Sequence, residues 1–339
     1  MHSRHNVPLS ELTTMRLGGL ARLVVTVEST DELKENIEAC AASEQPFFVL
    51  GGGSNVIARD KEFAGTVILN RIHGFEILDD NETSTTVKIG AGEMWDEVVA
   101  RTVGMGLSGI EALSAIPGTT GATPVQNVGA YGQEIADTLI ELEAIDTETM
   151  ELVTLANKDC VFSYRNSIFK DPTTRHHIIT SITLSLSKSK MKPPFYASLQ
   201  NYFEQNDITD YSPASVRQAV IDIRSVKLPD PTKVANTGSF FKNPIVGSQL
   251  AEKLAEDYPE MPQFPVAGVG VKLAAGWLIE QVGLKGYANH GFTTSPDNAL
   301  VIINQSADKY SELELFKEEI IGKVQTKFGV KLEQEPETL

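Results

Sequence analysis

A hydrophobic strand that runs into three consecutive glycines, and then into further strands, constrains the fold of this chain more than any other feature. The strand is predicted at 46–50, and with an earlier strand at 21–27 and a helix between them it forms a β-α-β unit. The loop after it consists of Gly51, Gly52, Gly53, Ser54 and Asn55. A glycine-rich loop exposes backbone N–H groups that can hold a phosphate. A Rossmann fingerprint would continue into a helix, whereas 56–58 and 65–69 are typical of short strands, so loop amides should hold the phosphate without a helix N-terminus.

A second glycine-rich segment, residues 116–132, is also apolar. Its glycines alternate with threonine, glutamine and asparagine, which favour tight turns. Val125, Val128 and Tyr131 make the segment too apolar for a disordered linker. A loop of this composition suits the edge of a flat aromatic ligand.

The composition is that of a globular protein with a sizeable core, because 41% of the 339 residues are hydrophobic. This length predicts two or three domains. The formal net charge of −16 disfavours nucleic acid or an anionic membrane as a general partner, and a few local cations can still oppose that field at one anionic substrate. We find no signal peptide and no apolar run of membrane-spanning length. The two cysteines, Cys40 and Cys160, do not suggest a disulfide framework, which favours a reduced, cytoplasmic protein.

Helices dominate the last third of the chain. The strongest helical patterns are 249–256, 272–282 and 312–328. The last of these has one apolar face and ends at Gly329, a typical stop. A strand is predicted between helices at 298–304. Nearer the start, Ser29 and Glu32 have the spacing of a capping box that begins a helix.

The run 237–244, Thr-Gly-Ser-Phe-Phe-Lys-Asn-Pro, carries groups suited to chemistry. Gly238 lets a ligand approach the backbone closely. Ser239 offers a neutral proton donor, and Lys242 and Asn243 can hold an anionic substrate. Taken alone, a Gly-Ser pair is typical of a turn whose serine bonds its own backbone.

Five segments, in order along nearly the whole chain, resemble the UDP-N-acetylenolpyruvoylglucosamine reductase family. They are Leu-Gly-Gly-Gly-Ser-Asn at 50–55, the segment 116–132, Tyr-Arg-Asn-Ser-Ile-Phe-Lys at 164–170, Lys-Leu-Pro-Asp-Pro at 227–231, and Gly-Ser-Phe-Phe-Lys-Asn-Pro at 238–244. The tyrosine-arginine and Gly-Ser-Phe-Phe segments are specific, while the glycine loops alone are not. The Lys-Leu-Pro-Asp-Pro segment and a tyrosine-bearing loop resemble the form of the family that closes a loop over its substrate.

The resemblance implies an α+β fold with a vanillyl-alcohol-oxidase/PCMH-type FAD-binding part of two subdomains and a C-terminal α+β substrate-binding domain. The expected boundaries are 1–70 and 71–228 for the FAD-binding subdomains, with a lid loop near 190–205, and 229–339 for the substrate-binding domain. It also implies non-covalent FAD, since neither glycine loop holds a histidine or cysteine for attachment. The candidate FAD-binding residues are Gly51, Gly52, Gly53, Ser54, Asn55, Gly118, Gly121, Thr123, Gly129 and Tyr131.

The implied reaction is the NADPH-dependent reduction of UDP-N-acetyl-3-O-(1-carboxyvinyl)-glucosamine to UDP-N-acetylmuramate, for peptidoglycan precursors. Hydride addition to the enolpyruvyl methylene carbon builds an enolate-like charge, which a preorganised cation stabilises and an acid then protonates. By resemblance, Arg165 is the cation and Ser239 the proton donor. Because a serine hydroxyl is a poor acid, Ser239 needs activation by its surroundings or by a proton relay.

The third catalytic group should be a glutamate of the C-terminal tail. The family pattern is Leu-Glu-Pro-Glu-Val, and this chain has Leu-Glu-Gln-Glu-Pro at 332–336. By register the matching acid is Glu335, and Pro336 restricts it toward an extended backbone. Glu333 and Glu337 remain alternatives, as does a solvated acidic tail.

The predicted substrate contacts are Tyr196, Lys227 and Asn243, with Tyr202 as a rival for the lid tyrosine. Lys227 would meet the diphosphate as a point charge. We expect no metal site, because the adjacent histidines His176 and His177 should point in different directions. We also expect a monomer that is not inserted in a membrane.

Two other functions compete with this interpretation. One is an oxidase of small alcohols or sugars on the same flavin fold, which would need no NADPH and would react quickly with oxygen. The other is a nucleotide-binding protein without catalysis. NADPH oxidation that accelerates only with the enolpyruvyl substrate would separate the reductase from both.

Overall fold

The computed structural model describes residues 2–171, 174 and 176–339. Its strands are β1 (His2–Pro8), β2 (Leu20–Val27), β3 (Phe47–Leu50), β4 (Val56–Ile57), β5 (Phe63–Asn70), β6 (Phe75–Asp80), β7 (Ser84–Gly90), β8 (Gly129–Ala130), β9 (Gln133–Glu134), β10 (Leu139–Asp146), β11 (Glu151–Ala156), β12 (His177–Ser187), β13 (Asn236–Ser239), β14 (Ile245–Val246), β15 (Gln263–Val266), β16 (Gly270–Leu273), β17 (Ala288–Asn289), β18 (Phe292–Thr294), β19 (Val301–Asn304) and β20 (Glu337–Thr338). Its α-helices are α1 (Thr30–Ala42), α2 (Trp95–Gly104), α3 (Ile135–Thr138), α4 (Ala197–Gln205), α5 (Pro213–Lys227), α6 (Ser248–Asp257), α7 (Ala275–Gln281) and α8 (Tyr310–Phe328). Among the described residues, none of the helices has the length and apolar character needed to cross a bilayer.

The chain forms two compact units, each built from separate segments. Unit 1 consists of 1–7, 21–52 and 63–225, and unit 2 of 8–20, 53–62 and 226–339. The residues 8–20 and 53–62 therefore belong with the C-terminal part of the chain. The expected boundaries at 70 and 228 stay a prediction.

The first sheet of unit 1 has the strand order β1-β2-β5-β3, and β5 runs parallel to both β2 and β3. Helix α1 crosses between β2 and β3, which confirms the β-α-β unit. Its start is fixed by Ser29, whose hydroxyl accepts the N–H of Glu32 at 3.1 Å, and the Glu32 carboxylate accepts the N–H of Glu28 at 2.8 Å. The apolar face of α1, with Leu33 and Ile37, is buried.

The second sheet of unit 1 is antiparallel, in the order β11-β10-β12-β7-β6. Its core contains the fully buried Trp95 of α2, whose indole N–H donates to the carbonyl of Leu113 at 3.1 Å. A separate core cluster joins α4 to α5 through Leu199, Phe203 and Val216. Both cysteines are buried free thiols.

Unit 2 contains the sheets β13-β19-β18-β17 and β14-β16-β15, and the short parallel pair β20-β4. The apolar face of α8 packs into their core, where Phe240, Phe292 and Phe316 have no exposed surface. Gly329 ends α8 in the left-handed conformation (φ 69°), as predicted. The helix predicted at 272–282 begins only at Ala275, because Lys272 pairs in β16 with Ile245 and Phe264.

Candidate active site

Ser239 is the last residue of strand β13 and lies between a turn at Gly238 and two buried phenylalanines. Gly238 adopts a left-handed conformation (φ 71°) that favours glycine, and its N–H donates to the side chain of Asn236 at 2.8 Å. Phe240 and Phe241, 0% and 1% exposed, anchor the next residues in the core. Ser239 thus lies between a hydrogen-bonded turn at Gly238 and the buried pair Phe240 and Phe241.

The C-terminal tail lies alongside this segment. Gln334 forms an antiparallel bridge with Phe241, the N–H of Glu335 donates to the carbonyl of Phe240 at 2.9 Å, and the N–H of Lys242 donates to the carbonyl of Glu333 at 2.9 Å. Glu335 is only 8% exposed, an unusual location for a carboxylate. The tail therefore brings a buried glutamate opposite the residue that follows Ser239.

The three tail glutamates occupy different environments. The Glu333 side chain is 74% exposed and approaches Lys242 at 3.9 Å, which makes it a surface ion pair of small energetic value. Glu337 belongs to β20, and its N–H donates to the carbonyl of Asn55 at 2.9 Å. Burial and position favour Glu335 as the reactive acid, in line with the register of the sequence.

Unit 2 holds three other polar residues relevant to the predicted ligand contacts, Thr237, Asn243 and Lys227. The Thr237 hydroxyl, two residues before Ser239, is buried and has no hydrogen-bond partner among the described residues, so it offers an unused donor and acceptor. The Asn243 side-chain oxygen accepts the N–H of Ala275 at 2.9 Å at the start of α7. Lys227 is exposed at the end of α5. Thr237 was missed in the sequence, where nothing separates it from an ordinary core threonine.

Arg165 lies in unit 1 at the tip of a tight turn. The N–H and C=O groups of Ser163 and Asn166 bond each other at 3.1 Å, which leaves Tyr164 and Arg165 as the central residues. Arg165 has φ 53°, a left-handed conformation that is uncommon for a side chain of this size. Its guanidinium lies over the Tyr164 ring at 5.4 Å. The turn holds Arg165 in an unfavourable backbone conformation that places its guanidinium over the Tyr164 ring.

The second glycine-rich segment is attached to this turn. The Ser167 hydroxyl donates to the carbonyl of Val125 at 2.6 Å, and the Asn127 NH₂ group donates to the carbonyl of Ser163 at 3.3 Å. A Cβ placed on Gly129 would lie 3.3 Å from an Arg165 nitrogen. Arg165 and the predicted flavin-binding segment therefore form one local structure.

Arg224 of α5 is a second cation near Arg165. It hydrogen-bonds Tyr131, and its Nε is buried with no hydrogen-bond partner among the described residues. Burial lowers the pKa of Arg224, the nearby Tyr131 and Asp96 raise it, and the charge of Arg165 lowers it further. Burial likewise raises the pKa of Tyr131. Two neighbouring guanidiniums with an unsatisfied N–H form a site that favours an anion. Sequence reasoning missed Arg224 because helix α5 was itself not recognised.

The two rival lid tyrosines differ in their contacts. Tyr196 is 50% exposed and packs edge-on against Tyr131, with ring centroids 6.0 Å apart. The Tyr202 hydroxyl donates to Asp222 at 2.5 Å, which ties it to α5 and raises its pKa. The geometry favours Tyr196, which packs against the Tyr131 that bonds Arg224, as the residue that can meet a substrate.

In unit 1 the two glycine loops touch backbone to backbone. A Cβ on Gly52 would lie 2.7 Å from the Cα of Gly118, and one on Gly51 would lie 2.2 Å from the Thr119 hydroxyl oxygen. A Cβ on Gly121 would meet Ala91 at 2.6 Å. Gly51 and Gly52 are therefore needed for the loops to meet, and Gly121 for the second loop to pack against Ala91. The Thr123 hydroxyl donates to the carbonyl of Thr120 at 2.8 Å, so its role is internal.

In unit 2 the remaining part of the first loop turns its carbonyls toward the protein. Gly53 (φ 64°) accepts the N–H of Thr14 at 3.1 Å, and Asn55 accepts the N–H of Glu337 at 2.9 Å. The Ser54 carbonyl accepts the hydroxyl of Thr14 at 3.5 Å. Because the C=O and the next N–H of a trans peptide point in opposite directions, the N–H groups of Ser54 and Asn55 point away from these contacts.

The adjacent histidines do not diverge as expected. Strand β12 begins only at His177, so regular alternation does not separate it from His176, and their ring centroids lie 4.1 Å apart. With Asp146 they place three ligand atoms within 4.8 Å of one another. His177 Nε2 faces Asp146 at 3.9 Å, but its Nδ1 is buried without a hydrogen-bond partner in the described part of the chain. Metal binding through Nε2 would leave an Nδ1 proton unsatisfied, so the absence of a metal site stays a prediction.

A groove of about 670 Å³ lies in unit 2. It is lined by Arg16, Lys233, Val234, Ala235, Gly286, Thr293, Pro296, Ile303, Asn304 and Gln305. The Arg16 guanidinium donates to the carbonyls of Pro231 and Thr232 at 3.2 and 2.7 Å. Its lining contains none of the predicted site residues, so we give the groove no role.

Comparison with known proteins identifies the fold and the family of this chain. A family model described as "FAD binding domain" matches residues 21–156, and one described as "UDP-N-acetylenolpyruvoylglucosamine reductase, C-terminal domain" matches residues 230–339. The predicted fold class, an α+β FAD-binding part followed by a C-terminal domain, is therefore confirmed.

Full-length relatives carry the same description. Proteins named UDP-N-acetylenolpyruvoylglucosamine reductase from Ralstonia nicotianae and Photorhabdus laumondii are 38% and 39% identical to this chain. The first alignment covers 97% of both chains, and the second covers 96% of this chain and 94% of the relative. The crystal structure of the reductase of that name from Thermus caldophilus is similar with a TM-score of 0.68 at 25% identity, covering 99% of each chain.

Proposed function

Because this chain belongs to the UDP-N-acetylenolpyruvoylglucosamine reductase family, it is an FAD-dependent oxidoreductase of peptidoglycan precursor synthesis, and we propose that it uses NADPH to convert the enolpyruvyl ether of UDP-N-acetylglucosamine into UDP-N-acetylmuramate. The loops at 51–55 and 116–132 would hold FAD, and the chemistry it would supply there is hydride transfer from NADPH to the methylene carbon of the enolpyruvyl group. We further propose that FAD is held without a covalent bond, since the loops at 51–55 and 116–132 contain no histidine or cysteine. The two buried free thiols agree with a reduced, cytoplasmic protein, which we expect to be a monomer.

The chain's own residues then manage charge and protons. The fixed guanidinium of Arg165 stabilises the negative charge that grows on the substrate carboxylate after hydride addition. Arg224, whose pKa is lowered by burial and by Arg165, adds positive charge to the same region of unit 1. Ser239 delivers the proton to the neighbouring carbon, and Glu335 is the carboxylate that supports this transfer.

The observation that carries this assignment is the antiparallel bridge of the tail. It places a carboxylate only 8% exposed opposite the residue that follows Ser239. A tail that served solubility alone would leave Glu335 as exposed as Glu333.

Substrate contacts come from three further side chains in this proposal. Tyr196 covers the substrate from the lid, Lys227 meets its diphosphate, and Asn243 contacts it. Their exposed or partly exposed positions in the structure agree with contact to a ligand.

Rapid mixing of Ser239→Ala tests the proposal. Reduction of FAD by NADPH should proceed at the normal rate, whereas reoxidation by the enolpyruvyl substrate should fall by at least about 100-fold, in the range of general acid catalysis. Ser306→Ala, at an exposed serine of the same unit, is the matched control and should change neither rate. Normal reoxidation in Ser239→Ala would remove this serine from the mechanism. NADPH oxidation that is fast with oxygen and indifferent to the enolpyruvyl substrate would refute the reductase.

A further inference from the structure

Gln334 lies between Glu333 and Glu335 of the tail, and backbone hydrogen bonds of its neighbours hold it in place. The flanking bonds come from the N–H groups of Glu335 and Lys242, at 2.9 Å each. The N–H of Gln334 itself takes no part in these two bonds. The backbone bridge with Phe241 therefore constrains the tail without using the Gln334 amide, main chain or side chain.

The Gln334 side chain makes a second set of contacts that reaches past Glu335. Its NH₂ group donates to the carbonyl of Pro336 at 2.7 Å and to the hydroxyl of Thr338 at 3.0 Å. Its oxygen accepts from the ammonium of Lys317 at 3.4 Å. The residues on both sides of Glu335 are thus joined by one side chain.

Helix α8 holds this side chain in place. The Lys317 side chain, 13% exposed, forms an ion pair with Glu314 at 2.5 Å, and Glu314 also accepts the hydroxyl of Tyr310 at 2.5 Å. A largely buried ammonium with a carboxylate partner keeps one geometry far better than an exposed pair does. The network connects the rigid helix to the tail at Gln334.

We propose that Gln334 is a positioning residue for Glu335. Its amide closes the tail between 334 and 338, so that the carboxylate of Glu335 stays in the buried location that proton transfer needs. This role rests on the function proposed for Glu335. Small displacements of a catalytic group are costly, and a shift of about 1 Å can lower the rate 100-fold.

The tail has other anchors, so loss of the amide should loosen Glu335 without releasing the chain. Strand β20 pairs with β4 through Glu337 and Thr338, and the N–H of Leu339 donates to the carbonyl of Ile57 at 2.8 Å. A proline at 334 would leave both flanking bonds of the bridge intact and restrict Glu333 to extended conformations. Proline is therefore the one substitution that should replace the amide's constraint.

The test uses the holoenzyme and its two half-reactions. Gln334→Ala should slow flavin reoxidation by the enolpyruvyl substrate about tenfold, the effect of losing one or two hydrogen bonds, and change flavin reduction by NADPH less than about twofold. Gln334→Glu keeps the shape of the side chain but removes the NH₂ donor, and should slow reoxidation by the same factor. It serves as the second variant in case Gln334→Ala folds poorly. Gln334→Pro should recover reoxidation to within about threefold of the natural rate. Gln325→Ala, at an exposed glutamine of α8, should leave both rates unchanged.

A double-mutant cycle with Glu335→Gln identifies the route of the effect. If Gln334 acts through Glu335, adding Gln334→Ala to Glu335→Gln should slow reoxidation less than about twofold further. Three outcomes would overturn the positioning role alone. They are effects of the two substitutions that multiply, equal losses in both half-reactions, and full activity in Gln334→Ala and Gln334→Glu beside a slow Glu335→Gln. Full activity in Glu335→Gln would overturn the role of Glu335 and the positioning role with it.

Discussion

Replacing Gly52 with alanine should weaken FAD binding, because the two glycine loops of unit 1 meet there. The new Cβ would lie 2.7 Å from the Cα of Gly118, about 0.7 Å short of the 3.4 Å at which ordinary contact begins. The three nearest atoms are all backbone atoms of Gly118, so no side chain can rotate away. Overpacking of this kind costs about 1–3 kcal/mol. If that cost falls on the FAD-bound loops, the Kd of FAD rises about 5- to 150-fold.

The measurement is a fluorescence titration of the apoprotein with FAD, supported by the ratio of flavin to protein absorbance after purification. Gly104→Ala is the matched control in the same unit, since a Cβ at Gly104 in α2 meets nothing within 4 Å. That substitution should leave the FAD Kd unchanged and raise stability by about 0.5–1 kcal/mol. An unchanged FAD Kd and melting temperature in Gly52→Ala would refute the idea that the contact between the loops shapes the flavin site.

Three further predictions concern the tail, an ion pair and a thiol. Glu335→Gln should lower flavin reoxidation by the enolpyruvyl substrate at least about 100-fold, while Glu333→Gln, at a side chain 74% exposed, should change it less than about twofold; equal losses at both positions would contradict the assignment. Burial raises the pKa of Asp96, but bonds from Arg217 and the N–H of Ala115 outweigh it and leave that pKa lowered. Since the folded-state pKa lies below the unfolded value of about 3.9, the stabilisation by Asp96 is complete above that value and disappears as the pH falls through the lowered one. Asp96→Asn should therefore cost about 1 kcal/mol at pH 7, discounted for a side chain 41% exposed, and less near pH 3; a loss that grows in acid would have the wrong sign. Burial raises the pKa of the Cys160 thiol to about 12, so a disulfide reagent at pH 8 should modify Cys160 only after urea unfolds the protein, and rapid labelling of the native enzyme would contradict the structure.

Local patterns made much of the fold predictable. The cap at Ser29, the apolar face of α8 and the stop at Gly329 each depend on residues a few positions apart, and all three are present. The left-handed Gly238 followed by two buried phenylalanines also follows from its own short run. Such features need no knowledge of the rest of the chain.

The remaining features depend on contacts across the sequence. Lys272 carries a helical pattern but lies in β16, because two strands offer it hydrogen bonds. The bond between Tyr131 and Arg224 and the burial of Glu335 beside Phe240 arise only when distant segments meet. Helix α5 is different, since Pro213 at its first turn and the buried Val216 and Val220 were visible signals that the sequence interpretation did not use.

The interrupted build of unit 2 has a consequence for synthesis in the cell. Residues 8–20 leave the ribosome early, but the segment they pack with begins at 226. At about 5–20 residues per second, the gap lasts roughly 10–40 s. During that interval Met15 and Leu17, which have no exposed surface in the finished protein, lack the core residues against which they pack. The nascent chain should therefore be a transient client of chaperones, and slower translation should lengthen its exposure to aggregation.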